Sequence, residues 1–317
     1  YPKKKKIWTP IFIIARNGCY TMRDIAIVTD GSCDLPKELI EKYNIFIIPF
    51  KVIFGVEVFK TSGDWGDLTK DDFYNKLQSS RVFPTTAIPP QKDMINVFQE
   101  ALQSAKNTIG IFLSKEFSGF YNAALLASKS LAGENIFLVD SKVSTSTLGA
   151  LVLEAAKMAE RGVSKDEILL KLEELIPQAR LAVILDSVNA VYRSGRVSWA
   201  KKFLVSSLTI KPIVNFEKGL IVPGGTLFGK KEVLKRLKFL LPIILDKAIT
   251  DTIFIWHVRY PEGAKELYDE AQKFNIHKKQ VVIQEAGPVV GTHVGEKSIG
   301  FMYIGPYESK WLSKMKK

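Results

Sequence analysis

MRDIAIVTDGSCDLP, residues 22–36, decides how the chain is read. IAIVTD is a continuous apolar run with no polar alternation, the signature of a strand covered on both faces. It closes on the small polar residues Thr29-Asp30-Gly31-Ser32. Pro36 then stands in the first turn of LPKELIEKYN, which has helical spacing. A buried strand, a polar turn and a helix make the opening of a β-α unit.

The pattern repeats outward from this start. IFIIPF is a strand, KVIFGVEVF a hairpin around Gly55, and DLTKDDFYNKL a helix with Thr69 as N-cap. RVFPTTAIPP is expected to be a loop, because its three prolines oppose regular structure. QKDMINVFQEALQSA is helical, NTIGIFLS a strand, and SGFYNAALLASKSL a helix beginning at Ser118 and Gly119. Strand NIFLVDS and helix TSTLGALVLEAAKMAERG follow. Repeated β-α alternation with apolar strands predicts a mostly parallel sheet clad in helices. Ligands of such folds gather at the carboxyl ends of strands. Asp30, Ser114, Ser118 and Asp140 all fall at or just after such ends.

A break lies near Arg161-Gly162, and Ser164–Glu167 has the pattern of a capping box opening a new helix. The second half reads as strand RLAVIL, loop NAVYRSGRVS, helix WAKKFLVSSL, hairpin KPIVNFEKGLIVPGG and helices over 230–248. Strand TIFIWHV, helix EGAKELYDEAQKF, strand QVVIQEA, a glycine-flanked turn around His293 and strand SIGFMYIG complete it. The expectation is a parallel-sheet α/β N-terminal domain over 22–162 and an α+β C-terminal domain over 163–305. Residues 1–21 read as an extension outside the fold, and 306–317 as a basic tail.

Composition bounds the function. A chain of 317 residues with 46% hydrophobic residues suits two globular domains. Cys19 and Cys33 make neither a disulfide framework nor a metal-type spacing, so a reducing cytoplasmic setting is expected and no metal is. The basic run and apolar IWTPIFIIA near the start mimic a signal peptide. Pro10 and Arg16 interrupt the run, it is far short of a membrane span, and Arg16-Asn17 does not suit lipoprotein processing at Cys19. Of the formal +12, residues 1–23 carry +6 and residues 306–317 carry +3, which leaves +3 for the body. A body so nearly neutral, with no basic stripe, does not suggest nucleic-acid binding.

The chain has no GxGxxG, no GxxxxGK[ST] and no HExxH. FSGF at 117–120 resembles a nucleophile elbow, but Glu116 stands where that motif needs glycine. Ser118 is equally a simple N-cap, and a helix start is also where an anion can be held. Arg196 follows a glycine in YRSGRVS. Thr85 and Thr86 lie in the proline loop. His293 sits in GTHVG, where glycines permit a sharp turn and close approach to a ligand. Hydroxyls, an imidazole and a guanidinium on loops of two domains suit the binding of an anionic oxygen group.

VTDGSCDLP, PTTAIPP, FSGFYNAA, YRSGRVS followed by TIKPIV, and GTHVG come in the order and approximate spacing of the DegV family, which the chain resembles over about residues 24–305. The resemblance implies a two-domain protein that binds a long-chain fatty acid as ligand, without a further cofactor. It implies a carboxylate held by Thr86, Ser118 and His293. The partner it implies is a dihydroxyacetone-kinase-like fatty acid kinase subunit that phosphorylates the bound acid. A transient contact with an anionic membrane is a further expected partner; nucleic acid is not. Arg196 matches the arginine of the family's GGRI motif and is expected to meet a partner or an anionic surface. The chain departs from the family in four places. TAIPP replaces TSQPS, Ser194 replaces the first glycine of GGR, Phe120 replaces the threonine of SGTY, and Glu296-Lys297 follow GTHVG where Pro-Gly is usual. The rival readings are an acyl hydrolase using Ser118, His293 and an acid such as Asp30, and a DNA-associated regulator suggested by the charged tails alone.

Overall fold

The computed structural model of the chain describes residues 22–61, 65–80, 82–131, 135–203, 209–308 and 310–313. The extension read over residues 1–21 lies outside them. The first half comprises β1 (Arg23–Asp30), α1 (Lys37–Tyr43), β2 (Phe46–Ile48), β3 (Phe50–Phe54), β4 (Glu57–Thr61), α2 (Lys70–Ser79), β5 (Thr85–Ala87), α3 (Gln91–Ser104), β6 (Ala105–Phe112), α4 (Phe120–Lys129), β7 (Ile136–Asp140) and α5 (Thr145–Glu160). The second half comprises α6 (Lys165–Leu175), β8 (Ala179–Ile184), α7 (Asn189–Arg193), β9 (Ile210–Glu217), β10 (Leu220–Phe228), α8 (Lys230–Lys247), β11 (Thr252–His257), α9 (Pro261–Phe274), β12 (Gln280–Glu285), α10 (Pro288–Gly291), β13 (Ile299–Ile304) and α11 (Lys310–Ser313).

Three sheets result. The first has the order β2-β1-β6-β7 and is parallel throughout. Ile25 to Val28 are buried without alternation, as a strand covered on both faces requires. The second is a mixed sheet, β10-β9-β8-β13-β11-β12, in which β11 and β12 are the parallel pair. The third is a small antiparallel sheet, β4-β3-β5.

IFIIPF divides between two of these sheets. Pro49 has no N–H to give a ladder, so β2 ends before it in the parallel sheet and β3 begins after it in the small one. The turn at Gly55 (φ +62°) and Val56 closes the β3–β4 hairpin as expected. Thr69 caps α2 by accepting the Asp72 N–H, and Ser164 with Glu167 forms the capping box of α6.

Other expectations are corrected. RVFPTTAIPP is not wholly a loop: Thr85–Ala87 form β5, because Pro84, Pro89 and Pro90 flank the paired residues and leave their N–H groups free to bond. NAVYRSGRVS contains the single-turn helix α7. The segment expected as helix WAKKFLVSSL is a 3-10 stretch over Ser198–Phe203, and 204–208 lie outside the described residues. The stretch 230–248 is one helix, not several, despite Pro242 inside it. Residues 306–317, read as a basic tail, in part pack on the fold: Leu312 is fully buried beside α8, and Trp311 meets Tyr307 edge-on at 5.9 Å.

The layers follow from strand alternation. In the mixed sheet, Leu181, Val183, Phe254, Trp256, Met302 and Ile304 face one way and join the buried cluster that includes β1, β6 and α5. Their neighbours Ala182, Ile184, Ile253, Ile255, Phe301 and Tyr303 face α8 and α9. Helix α5 lies between the parallel and mixed sheets. Residues 145–153 of it are all buried: Leu148 to Leu153 are apolar on every side, and the hydroxyls of Thr145 and Ser146 before them are satisfied by Asp34.

Candidate functional site

Pairing of β5 with β3 fixes Thr86. The register sets Thr86 opposite Val52, on the face that carries the buried Phe50, Val52 and Phe54. His293 comes from the other half of the chain. Gly287 and Pro288 open α10, Gly291 N–H returns to the Gly287 carbonyl at 2.8 Å, and His293 N–H returns to the Val290 carbonyl at 2.9 Å. This short turn delivers the imidazole to Thr86: Oγ1 and Nε2 stand 2.9 Å apart, across 207 residues of sequence.

The imidazole is neutral near pH 7. Burial, with the charge of Arg196 adding to it, pushes its pKa down to about 4. Its other nitrogen, Nδ1, is buried with no hydrogen-bond partner among the described residues. A Thr86 hydroxyl that donates to Nε2 keeps the ring proton on Nδ1, which is then a buried donor suited to an anionic oxygen.

Ser118 lies just before α4 at the carboxyl end of β6, half-buried, and its Oγ accepts the Phe120 N–H at 3.2 Å. Because the oxygen accepts, the hydroxyl proton remains available to a ligand. Ser118 is bonded to neither Thr86 nor His293. Its segment nonetheless belongs to the same region, since Phe120 stacks on Phe50 of β3 with ring centroids 4.8 Å apart. The loop before it meets the other half, with Ser114 Oγ donating to the Gly219 carbonyl at 2.8 Å and Phe117 packing on Phe216.

Arg196 is exposed on the turn after α7, with its guanidinium donating to the Ser194 carbonyl at 2.6 Å. Its charge acts on His293. Nothing in the local sequence announces that proximity, because the two residues sit on different loops of the mixed-sheet half.

A Ser–His–Asp relay is not assembled. His293 Nε2 is engaged by Thr86, and Asp30 is fully buried, accepting from Ser32 N, Ser32 Oγ and Leu113 N. Among the described residues no group of three or more His, Cys, Asp or Glu side chains could hold a metal ion, and no helix is long and apolar enough to cross a membrane. Two surface clefts, one lined by Lys230, Lys231, Lys235 and Tyr260 and the other by Arg23, Tyr43 and Glu160, include none of Thr86, Ser118 and His293.

The family model of the uncharacterised DegV proteins matches residues 24–305. The chain belongs to the DegV family. A DegV domain-containing protein of Caldanaerobacter subterraneus subsp. tengcongensis is 31% identical over 283 residues, covering 89% of this chain and 99% of that protein. Among solved structures, DegV of Bacillus subtilis, a fatty acid binding protein, is 29% identical with a TM-score of 0.76, covering 90% of this chain and all of that one. A fatty-acid-binding DegV protein of Thermus thermophilus has a TM-score of 0.78 at 24% identity, with 90% and 100% covered, and shares the fold. The α/β fold with its parallel-sheet first half and mixed-sheet second half is that of these DegV relatives.

Proposed function

We propose that this DegV protein binds a long-chain fatty acid, holds its carboxylate through Thr86, Ser118 and His293, and presents it to a separate kinase that forms the acyl phosphate. The observation that carries the reading is the Thr86–His293 contact, which joins the two halves of the chain at a neutral imidazole whose buried Nδ1 has no partner among the described residues. The fatty acid binding of the Bacillus subtilis relative supports the ligand class.

A buried carboxylate must be hydrogen-bonded or neutralised. The Ser118 hydroxyl and the His293 Nδ1–H would supply donors, while Thr86 sets the imidazole tautomer. Arg196, exposed beside the turn after α7, would meet a partner or an anionic surface. The acyl chain would run along the apolar side chains beside the site, such as Phe50, Val52 and Phe120. At ~0.8 kcal/mol per buried CH₂, a long chain offers gross burial of order 10 kcal/mol before ordering costs. The domain division at Arg161-Gly162 belongs to the same proposal, with the clamp drawing Thr86 and Ser118 from one side and His293 from the other.

Calorimetric titration with palmitate and with hexadecanol tests the clamp. Wild type is expected to favour the acid. Ser118→Ala and His293→Ala should each lower palmitate affinity roughly tenfold, the cost of leaving a buried polar partner unsatisfied. The double variant should lose less than the sum of the singles if both residues serve one carboxylate. With ATP and a separate fatty acid kinase subunit, the loaded protein should yield acyl phosphate. Unchanged palmitate affinity in both folded single variants would sink the clamp.

A further inference from the structure

The motif that opens the fold, VTDGSCDLP, is not consumed by the carboxylate clamp, yet it buries two acids within five residues. Asp30 and Asp34 are at most 1% exposed. Each is wired to a segment that leads to a different member of the clamp. Asp30 Oδ2 accepts the Leu113 N–H at 2.8 Å, at the exit of β6 and on the loop that runs to Ser118. Asp30 Oδ1 accepts Ser32 N and Ser32 Oγ, which fixes the turn itself.

Asp34 reaches across to the second half. Its Oδ1 accepts the Gly287 N–H at 2.9 Å, and its Oδ2 accepts Trp256 Nε1 at 3.1 Å and Thr145 Oγ1 at 2.5 Å. Its carbonyl accepts Ser146 Oγ at 2.9 Å. One carboxylate therefore ties together the β1 exit, the start of α5, the mixed-sheet strand β11 and the residue that opens α10. Gly287 is the first link of the hydrogen-bonded turn that ends at His293. The approach is close: a Cβ on Gly287 would stand 2.8 Å from Asp34 Oδ1.

We infer that Asp34 is a positioning residue for the head-group site, latching Gly287 so that the α10 turn holds His293 against Thr86, while Asp30 aligns the Ser118 loop from the same five residues. The inference rests on the proposed clamp. Hydrogen bonds to an ionised acceptor are the strong ones, and a carboxylate with donors from three elements defines their mutual placement to within a bond length. A site whose two halves come from distant parts of the chain needs such a common anchor, because a small misplacement of a ligating group forfeits much of its contribution.

The test uses the full chain. Asp34→Asn keeps the shape but removes the charge and one acceptor. Gly287→Ala keeps the carboxylate but crowds the latch, on a backbone conformation that alanine tolerates (φ −68°, ψ 170°). The first readout is the His293 imidazole signal by NMR in ligand-free protein. Both variants are expected to move it and to raise its titration midpoint from about 4 as the ring loosens towards solvent. The second readout is the preference for palmitate over hexadecanol. It should fall roughly tenfold in each variant with hexadecanol affinity retained, since a merely structural defect would lower both. Asp34→Asn should add nothing to that loss in a His293→Ala background. An unmoved His293 signal in both folded variants, or full additivity with His293→Ala, would overturn the inference. If wild type shows no preference for the acid, the clamp fails instead, and the NMR readout still decides whether Asp34 positions His293.

Discussion

At the scale of single residues, the site is a case of burial setting protonation. His293 and His257 are both pushed down to about 4, chiefly by desolvation, while Asp30 and Asp34 are pushed up to about 6 by the same cause. The two kinds of group act on stability in opposite directions. A histidine at 6.5 when unfolded and about 4 when folded binds fewer protons in the folded state between those values. Its burial therefore costs stability as pH falls through that window. A carboxyl raised from 3.8 to about 6 binds more protons when folded, so its contribution is fullest below 3.8 and is lost as pH rises through about 6. Removing one histidine tilts this balance. Urea unfolding at pH 7 and at pH 4.5 should show that His293→Ala loses less stability on acidification than wild type does; an equal or larger loss would mean that the imidazole is not held neutral by burial. His293 was legible in the sequence because it lies between two glycines in a chain with three histidines. Its pairing with Thr86 was not legible from the residues themselves, since no local pattern links positions 207 apart.

At the scale of elements, the strands and most helices follow from patterns short enough to be read locally. IAIVTD is a buried parallel strand because it is apolar without alternation, and α6 begins at Ser164 because its capping box closes within four residues. Two of the misread elements are ones in which proline carries the signal. In PTTAIPP the prolines flank a three-residue strand that β3 completes. In α8 the loss at Pro242 is outweighed by tertiary burial, with Leu237, Leu240, Leu241, Ile244 and Leu245 all buried against the mixed sheet and α9. Pro242→Ala restores a backbone donor in the middle of an 18-residue helix and should raise stability by about 1 kcal/mol or more. A destabilised Pro242→Ala protein would show instead that the ring's own packing outweighs the missing bond.

At the scale of the whole molecule, one buried cluster runs from the parallel sheet through α5 into one face of the mixed sheet. The boundary read at Arg161-Gly162 separates groups of elements, but the core is continuous across it. The full chain should therefore unfold in one cooperative transition, and residues 22–162 alone should show none, because α5 would expose the face that meets β8, β11 and β13. An independent sharp transition for that fragment by calorimetry would contradict a shared core. The sequence by itself determined the β-α order of the first half, the strand-end position of Ser118 and the glycine turn of His293, because each is written in periodicity, caps and breakers within a dozen or so neighbouring residues. Only the tertiary structure decided that α5 is covered on both sides, that Thr86 meets His293, and that Asp34 reaches Trp256 and Gly287. Those facts are contacts between distant segments. They arise from how two sheets close on one helix, and a local pattern of residue types does not encode that distance.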